Sequence, residues 1–499
     1  MKKYILSLDQ GTSSSRAIIF DKQFRIISLA QQEFPQYYPE PGWVEHNPDE
    51  IWNSQLQVIY RAMRTANISP TEIDSIGITN QRETLVMWDR LTGKPVYNAI
   101  VWQDRRTSQF CDLLKSEGLE KYIKETTGLV LDSYFSASKA RWILMNIPEA
   151  RIKATNGTLL MGTIDSWLIW NLTKGTVHAT DPSNASRTML FDINTLEWNA
   201  DLLNIFSIPE SVLPVVKSSS EIYGYTHPEW FEGNKIPISG IAGDQQAALF
   251  GQNCFVSGQA KNTYGTGCFM LMNTGSSPVF SENGLLTTIG WQVENQVTYA
   301  VEGSVFTTGA AIKWLRDGLR IINTASETED MANKVSSTEG VYVVPAFSGL
   351  GAPYWDMYAR GTIIGLTQGT KREHIVRATL ESIAYQTCDL AKLMEADTKL
   401  KLTDMKVDGG GTANNFLMQF QSDILNNKVI RPENVESTAT GAAMLAGLAT
   451  GFWNWSDLAA NNSKYHIFTP KMDEDQRTRL YTKWRKAVER SRMWVEDIQ

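Results

Sequence analysis

Tyr4-Ile-Leu-Ser-Leu-Asp-Gln-Gly-Thr-Ser-Ser-Ser-Arg-Ala-Ile-Ile-Phe20 decides how the rest of the chain is read. Two short apolar runs, Tyr4 to Leu8 and Arg16 to Phe20, flank a cluster of turn residues from Asp9 to Ser15. That spacing predicts two strands joined by a polar hairpin turn, and a third run, Arg25 to Ala30, extends them into a β-meander. Asn47-Pro48 then supplies an N-cap followed by Pro at the first helical position. Ile51, Trp52, Leu56, Ile59, Tyr60 and Met63 continue as a helical stripe. Ser75 to Thr79 and Ala99 to Trp102 read as further strands, and helices alternate with short strands beyond them. The order is that of an α/β protein.

The pattern restarts past the middle. Lys261-Asn-Thr-Tyr-Gly-Thr-Gly-Cys-Phe269 places another Gly-Thr turn before a strand, Phe269 to Met272. Strands at 297–301 and 341–344 follow, then a helix from Arg372 to Met394. Two comparable α/β halves meeting near residues 250–260 are expected, divided as 1–252 and 253–499. No Pro- or Ser-rich linker separates them, so a packed hinge fits better than tethered beads. The segment Asp473 to Trp494 is an amphipathic helix expected to pack at the chain's end, with Leu480, Tyr481, Trp484, Ala487 and Val488 on one face.

Bulk properties exclude several classes. With 499 residues, 42% hydrophobic and 20% charged, the chain suffices for more than one core. A net charge of −7 without basic tracts argues against nucleic-acid partners. The four cysteines (111, 254, 268 and 388) and five histidines lack paired metal-ligand spacing, which reads as reduced thiols in a cytoplasmic protein and no zinc site. The apolar start at Tyr4 ends at Asp9, too early for a signal peptide, and Gly441 to Trp453 is too short for a membrane span. The sequence leaves the oligomeric state open, a dimer or tetramer of this chain included.

Three glycine turns carry the chemistry: Asp9-Gln-Gly-Thr12, Gly265-Thr-Gly267 and Asp408-Gly-Gly-Gly-Thr412. Glycine lets backbone N–H groups approach phosphate oxygens, and Ser/Thr hydroxyls add donors. A carboxylate at the head of the first turn suits water-mediated Mg²⁺ binding. One turn at the start, one at the middle and one near residue 410 is the order expected of two facing lobes that clamp a nucleotide.

This order resembles the actin-like ATPase superfamily. More specifically, the chain resembles the FGGY carbohydrate kinases through Leu8-Asp-Gln-Gly-Thr12 with Arg16, Gly77-Ile-Thr-Asn-Gln-Arg-Glu83, Ile100-Val-Trp-Gln103, Gly243-Asp-Gln-Gln-Ala-Ala-Leu-Phe250, Asn262-Thr-Tyr-Gly-Thr-Gly267 and Gly349-Leu-Gly-Ala-Pro-Tyr-Trp-Asp356. The resemblance implies two actin-like (ribonuclease H-like) ATPase lobes with a nucleotide and substrate cleft between them. It implies ATP and Mg²⁺ as cofactors and phosphorylation of a small polyol, glycerol. Asp244 is then the general base and, with Asp9, the metal ligand. Arg82, Glu83, Tyr134 and Gln245 are expected to grip the polyol hydroxyls, with Trp102 and Phe269 as apolar walls. Thr12, Ser13, Ser14, Arg16 and Thr266 are expected at the phosphates, and Gly309, Lys313, Gly410, Gly411 and Asn414 at the adenosine end.

Neighbours on a strand face opposite ways, so Arg82 and Glu83 share one ligand only if their strand ends by Asn80. Two aromatic walls leave little length for a sugar, which favours a three-carbon acceptor over a pentulose, an alditol or gluconate. An actin-like filament or chaperone ATPase, and a non-catalytic polyol sensor, are the rival readings. Position 313 is Lys where the family usually carries Gln, and Gly411 stands where it carries Ala. Trp230-Phe-Glu-Gly233 lacks the phosphorylatable His of some members, and the loop before Lys235 is also altered, so neither family regulation is carried over.

Overall fold

The computed structural model describes residues 2–460 and 464–495. Its N-terminal half is built on the meander Tyr4–Gln10, Ser14–Asp21 and Ile26–Glu33, paired antiparallel. Tyr4–Gln10 also pairs parallel with Ile73–Asn80, which pairs parallel with Pro237–Gly243. The helix Pro48–Thr65 begins where the sequence places it: Asn47 accepts a hydrogen bond from the Asp49 N–H, and Pro48 occupies the first turn. Its stripe of Ile51, Trp52, Val58, Ile59, Ala62 and Met63 is buried with residues of the meander in one core.

The C-terminal half repeats the plan. Gln259–Tyr264 pairs antiparallel with Cys268–Gly275, and that strand with Gln296–Val305. On its other side Gln259–Tyr264 runs parallel to Asp404–Asp408, which runs parallel to Val429–Pro432. Each half therefore carries three adjacent antiparallel strands beside two parallel ones, with the strand Leu286–Val293 of the second half inserted in sequence and paired outside Gln296–Val305. Both the Gly11 and the Gly265 turns sit between the first and second strands of their half.

The halves are less separate than the sequence suggests. A single bridge, Ser220 with Val293, joins both into one 13-stranded sheet. Moreover, the helix Ser437–Thr450, from the C-terminal half, lies on the N-terminal sheet. Small strand residues admit it: a Cβ on Gly77 would sit 2.5 Å from the Ala442 carbonyl carbon, and one on Gly240 2.8 Å from Ala446 Cα. Ser7 and Ser239 donate to the Ala439 and Ala446 carbonyls. This helix crosses Asp244–Gly251, where Gly441 and Gly251 meet backbone to backbone. One apolar cluster mixes Ile5, Ile18 and Phe20 of the first half with Leu271, Trp291 and Ala300 of the second, around Ala443 and Met444. The crossing thus positions the two halves, and Asp244 stands at its head.

The terminal helix Glu474–Ser491 packs as expected, with Trp484 buried, stacked on Tyr385 and donating to Asp389. All four cysteines are buried and free. Among the described residues no helix is long and apolar enough to cross a membrane.

Candidate active site

The strand Ile73–Asn80 ends at Asn80, which frees the next residues from strand alternation. Glu83 then adopts φ 60°, a left-handed conformation costly for a residue with a Cβ and held here by a Ser136 hydroxyl donating to the Glu83 carbonyl. The result places both side chains in one buried cluster. Arg82 Nη1 and Nη2 donate to Glu302 at 2.5 and 2.9 Å, and Nη1 also reaches Gln246 Oε1 at 3.2 Å. Arg82 Nε lies 3.2 Å from Asp244 Oδ1. Arg187 Nε donates to Glu83 at 2.6 Å, and its Nη2 to Glu302 at 3.2 Å.

Asp244 is the first residue of its helix, where the N-terminal dipole favours a carboxylate, and its Oδ1 accepts from the Gln245 N–H at 2.7 Å. Its side chain remains 32% exposed. The Gln245 amide oxygen accepts from Lys261, a fully buried lysine whose pKa is pushed down by burial against the pull of Asp408, Asp244 and Glu302. Tyr134 is edge-on to Trp102, ring centres 5.6 Å apart. The Tyr134 backbone is pinned by Lys139, whose Nζ donates to the carbonyls of residues 133, 134 and 135 at 2.6, 2.6 and 3.0 Å. Burial brings the Lys139 ammonium down to about 7.

The Trp102 indole N–H donates to Thr12 Oγ1 at 3.1 Å, tying the expected polyol wall to the first glycine turn. In that turn Gly11 N–H donates to the Ser14 carbonyl at 2.9 Å, and the Ser14 hydroxyl accepts from Gln31. Ser13 is exposed at the tip. Arg16 is not a free cation: it donates to Asp9 and, at 2.6 Å, to Glu436 at the head of the Ser437–Thr450 helix. Burial raises the Asp9 carboxyl; Arg16 opposes this, while Glu436 and Asp244 add to it.

In the second half the Gly265–Gly267 turn docks on the start of the helix Gly309–Lys313. The N–H groups of Thr308 and Ala310 donate to the Thr266 carbonyl and that of Gly309 to the Gly265 carbonyl. Beside it opens a cleft whose lining includes Gly309, Gly410, Gly411 and Asn414, four of the residues expected at the adenosine end. Lys313 is exposed and is not among the lining residues; its neighbour Ile312 is. Asn414 caps the helix Asn415–Leu425 and donates to Thr328. Gly409 needs its glycine, since its φ is 86° and a Cβ would meet the Tyr264 carbonyl at 2.5 Å.

Sequence reasoning missed Arg187, Glu302, Lys261 and Lys139. The signal is that Lys261 and Glu302 are the lone charges of the strands Gln259–Tyr264 and Gln296–Val305, most of whose residues are buried in the structure. The apolar lining of the cleft, Ile312, Leu380, Ile383 and Leu417, offered none, because helix-face apolar residues read as ordinary core.

Asp9 and Asp244 have the donor chemistry for a magnesium ion. The Asp244 charge helps raise the Asp9 carboxyl, Asp244 is part exposed, and among the described residues no cluster of three or more metal-ligating side chains exists. Two carboxylates without a full cage suit an ion that keeps most of its water.

Two α/β halves, each carrying a glycine turn between its first two antiparallel strands, give the chain a two-lobed actin-like architecture. The N-terminal domain of the FGGY family of carbohydrate kinases matches residues 4–251, and its C-terminal domain residues 260–450. The chain belongs to that family. It is 61% identical over 498 residues to glycerol kinases of Petrotoga mobilis and of Caldanaerobacter subterraneus subsp. tengcongensis, each match covering 100% of both chains. Its structure superposes on that of Plasmodium falciparum glycerol kinase with ADP at a TM-score of 0.93, with 41% identity and 98% of each chain covered. The fold is shared with the ligand-bound xylulose kinase of Lactobacillus acidophilus, TM-score 0.86 at 20% identity, covering 98% of this chain and 97% of that one.

Proposed function

We propose that the chain transfers the γ-phosphoryl group of ATP to a primary hydroxyl of glycerol, giving ADP and sn-glycerol 3-phosphate. The observation that carries this reading is the cluster of Arg82, Glu83 and Asp244, linked through Trp102 and Thr12 to the first phosphate turn. Full-length identity of 61% to glycerol kinases supports the choice of acceptor.

Asp244 accepts the hydroxyl proton as the new O–P bond forms and the bond from phosphorus to the β,γ-bridging oxygen breaks. An alcohol is a weak acid, so the carboxylate acts by position more than by basicity. Arg82 and Tyr134 donate to polyol oxygens, and the Tyr134 hydroxyl has no protein partner among the described residues. Glu83 accepts from a polyol O–H, and Gln245, its oxygen taken by Lys261, offers its N–H₂. Trp102 and Phe269 flank the three carbons. Thr12, Ser13, Ser14 and Arg16 from one half and Thr266 from the other hold the phosphates, with adenosine in the cleft of Gly309, Gly410, Gly411 and Asn414. Mg²⁺ bound near Asp9 and Asp244 offsets phosphate charge. The reading includes lobes at 1–252 and 253–499 and a cytoplasmic location, and leaves the oligomeric state open, a dimer or tetramer of this chain included.

Coupled ADP release with Mg²⁺-ATP tests the proposal, comparing glycerol, xylulose, ribulose, erythritol and no acceptor. Fast turnover with glycerol alone is expected. Equal ADP release without acceptor would instead favour an actin-like ATPase.

A further inference from the structure

The polyol cluster contains a carboxylate from the opposite half of the chain. Glu302 projects from the strand Gln296–Val305, and its side chain is 3% exposed. It receives three hydrogen bonds from guanidinium groups: two from Arg82 in parallel and one from Arg187. The parallel pair is the strongest and most directional geometry available between these groups. Burial alone would raise the Glu302 carboxyl; Arg187 and Arg82 outweigh it and bring it to about 2. The group is therefore anionic at neutral pH.

The charges around it explain what it does. Two buried guanidiniums, Arg82 and Arg187, face the buried carboxylates Glu83 and Glu302, with Asp244 at the solvent side and Lys261 nearby. Without Glu302, Arg82 keeps Asp244 at 3.2 Å and Glu83 at 3.8 Å as its carboxylate neighbours. It would close on Asp244, the group that must receive the substrate proton.

We infer that Glu302 is a positioning residue for phosphoryl transfer: it anchors both terminal nitrogens of Arg82 from across the interface between the halves, so that Arg82 binds the polyol without sequestering Asp244. This rests on the function proposed above. It also makes the polyol site a joint product of both halves, because the bidentate anchor of Arg82 comes from the C-terminal half while Gln246 and Asp244 beside it belong to the N-terminal half.

The test is Glu302→Gln, nearly isosteric and one charge poorer, with Glu302→Asp as the companion that keeps the charge but loses one methylene of reach. The inference expects kcat/KM for glycerol to fall at least about tenfold in Glu302→Gln, with KM for ATP changed by less than about twofold. Glu302→Asp is expected to fall in the same sense by a smaller factor. A crystal structure of whichever variant is soluble is expected to show Arg82 displaced toward Asp244. Parallel loss of glycerol and ATP binding would mean that Glu302 merely holds the halves together, and would overturn the inference. So would wild-type kinetics, or an unmoved Arg82. If the wild type itself ignores glycerol, the functional reading fails, while the position of Arg82 in the variant still decides this one.

Discussion

Replacing Gly441 by Ala probes the helix crossing on which the site is built. A Cβ there would lie 2.7 Å from the Ala247 carbonyl carbon, closer still to its oxygen, and 3.0 Å from the Gly251 nitrogen. These are backbone atoms of a helix, so no side chain can swing aside. Restoring ordinary contact with that oxygen requires the helices Ser437–Thr450 and Asp244–Gly251 to part by about 1.5 Å or more. Overpacking of this kind costs about 1–3 kcal/mol. The larger effect is expected on turnover, because the displaced helix carries Asp244 at its first position. Misplacing a catalytic group by about 1 Å costs about 100-fold in rate. Initial-rate kinetics and thermal melting should therefore show Gly441→Ala folded, modestly destabilised and strongly impaired in kcat. Gly369→Ala, whose Cβ meets nothing nearer than 3.8 Å, serves as the control. Wild-type kcat in Gly441→Ala would refute the claim that the crossing positions Asp244.

Other substitutions report on other parts. Arg187→Met leaves Glu83 without its 2.6 Å partner, and should cost about 3–5 kcal/mol in denaturant unfolding while raising KM for glycerol. Gly309→Ala puts a Cβ 2.5 Å from the Gly265 carbonyl oxygen and displaces the Gly265–Gly267 turn, proposed above to hold phosphate. Its KM for ATP should rise about tenfold with little change for glycerol, as read by initial rates. Burial raises the Asp165 carboxyl to about 7 although hydroxyls of Thr163 and Thr180 donate to it. The folded state therefore binds the proton more tightly than the unfolded chain, so stability falls as pH rises from about 4 to about 7. Unfolding of Asp165→Asn across that range should show a shallower decline, and an unchanged slope would remove Asp165 as the cause.

The meander, its turn and the helix Pro48–Thr65 were legible because periodicity and capping act locally. The second half was legible because the same turn recurs at Gly265. What escaped was whatever depends on chain segments hundreds of residues apart. The strands Ile73–Asn80 and Pro237–Gly243 give no hint that Gly77 and Gly240 make room for a helix from beyond residue 437. Arg16 reads as a free phosphate ligand, yet its partner Glu436 lies 420 positions away. Arg82 and Glu83 read as a pair for a polyol, while their partners Glu302 and Arg187 come from separate elements. Glu302 is marked as a lone charge within its strand, whereas Arg187 and Glu436 lie outside strands, and only the fold says what each meets.

The central claim, that Asp244 takes the proton of the attacking glycerol hydroxyl, is tested most directly by single-turnover phosphoryl transfer from γ-labelled ATP to glycerol in Asp244→Asn. The account predicts a rate lower by about 10²–10⁴-fold, with dissociation constants for ATP and glycerol within about threefold of the wild type. Transfer at the wild-type rate would contradict it and move the proton acceptor elsewhere.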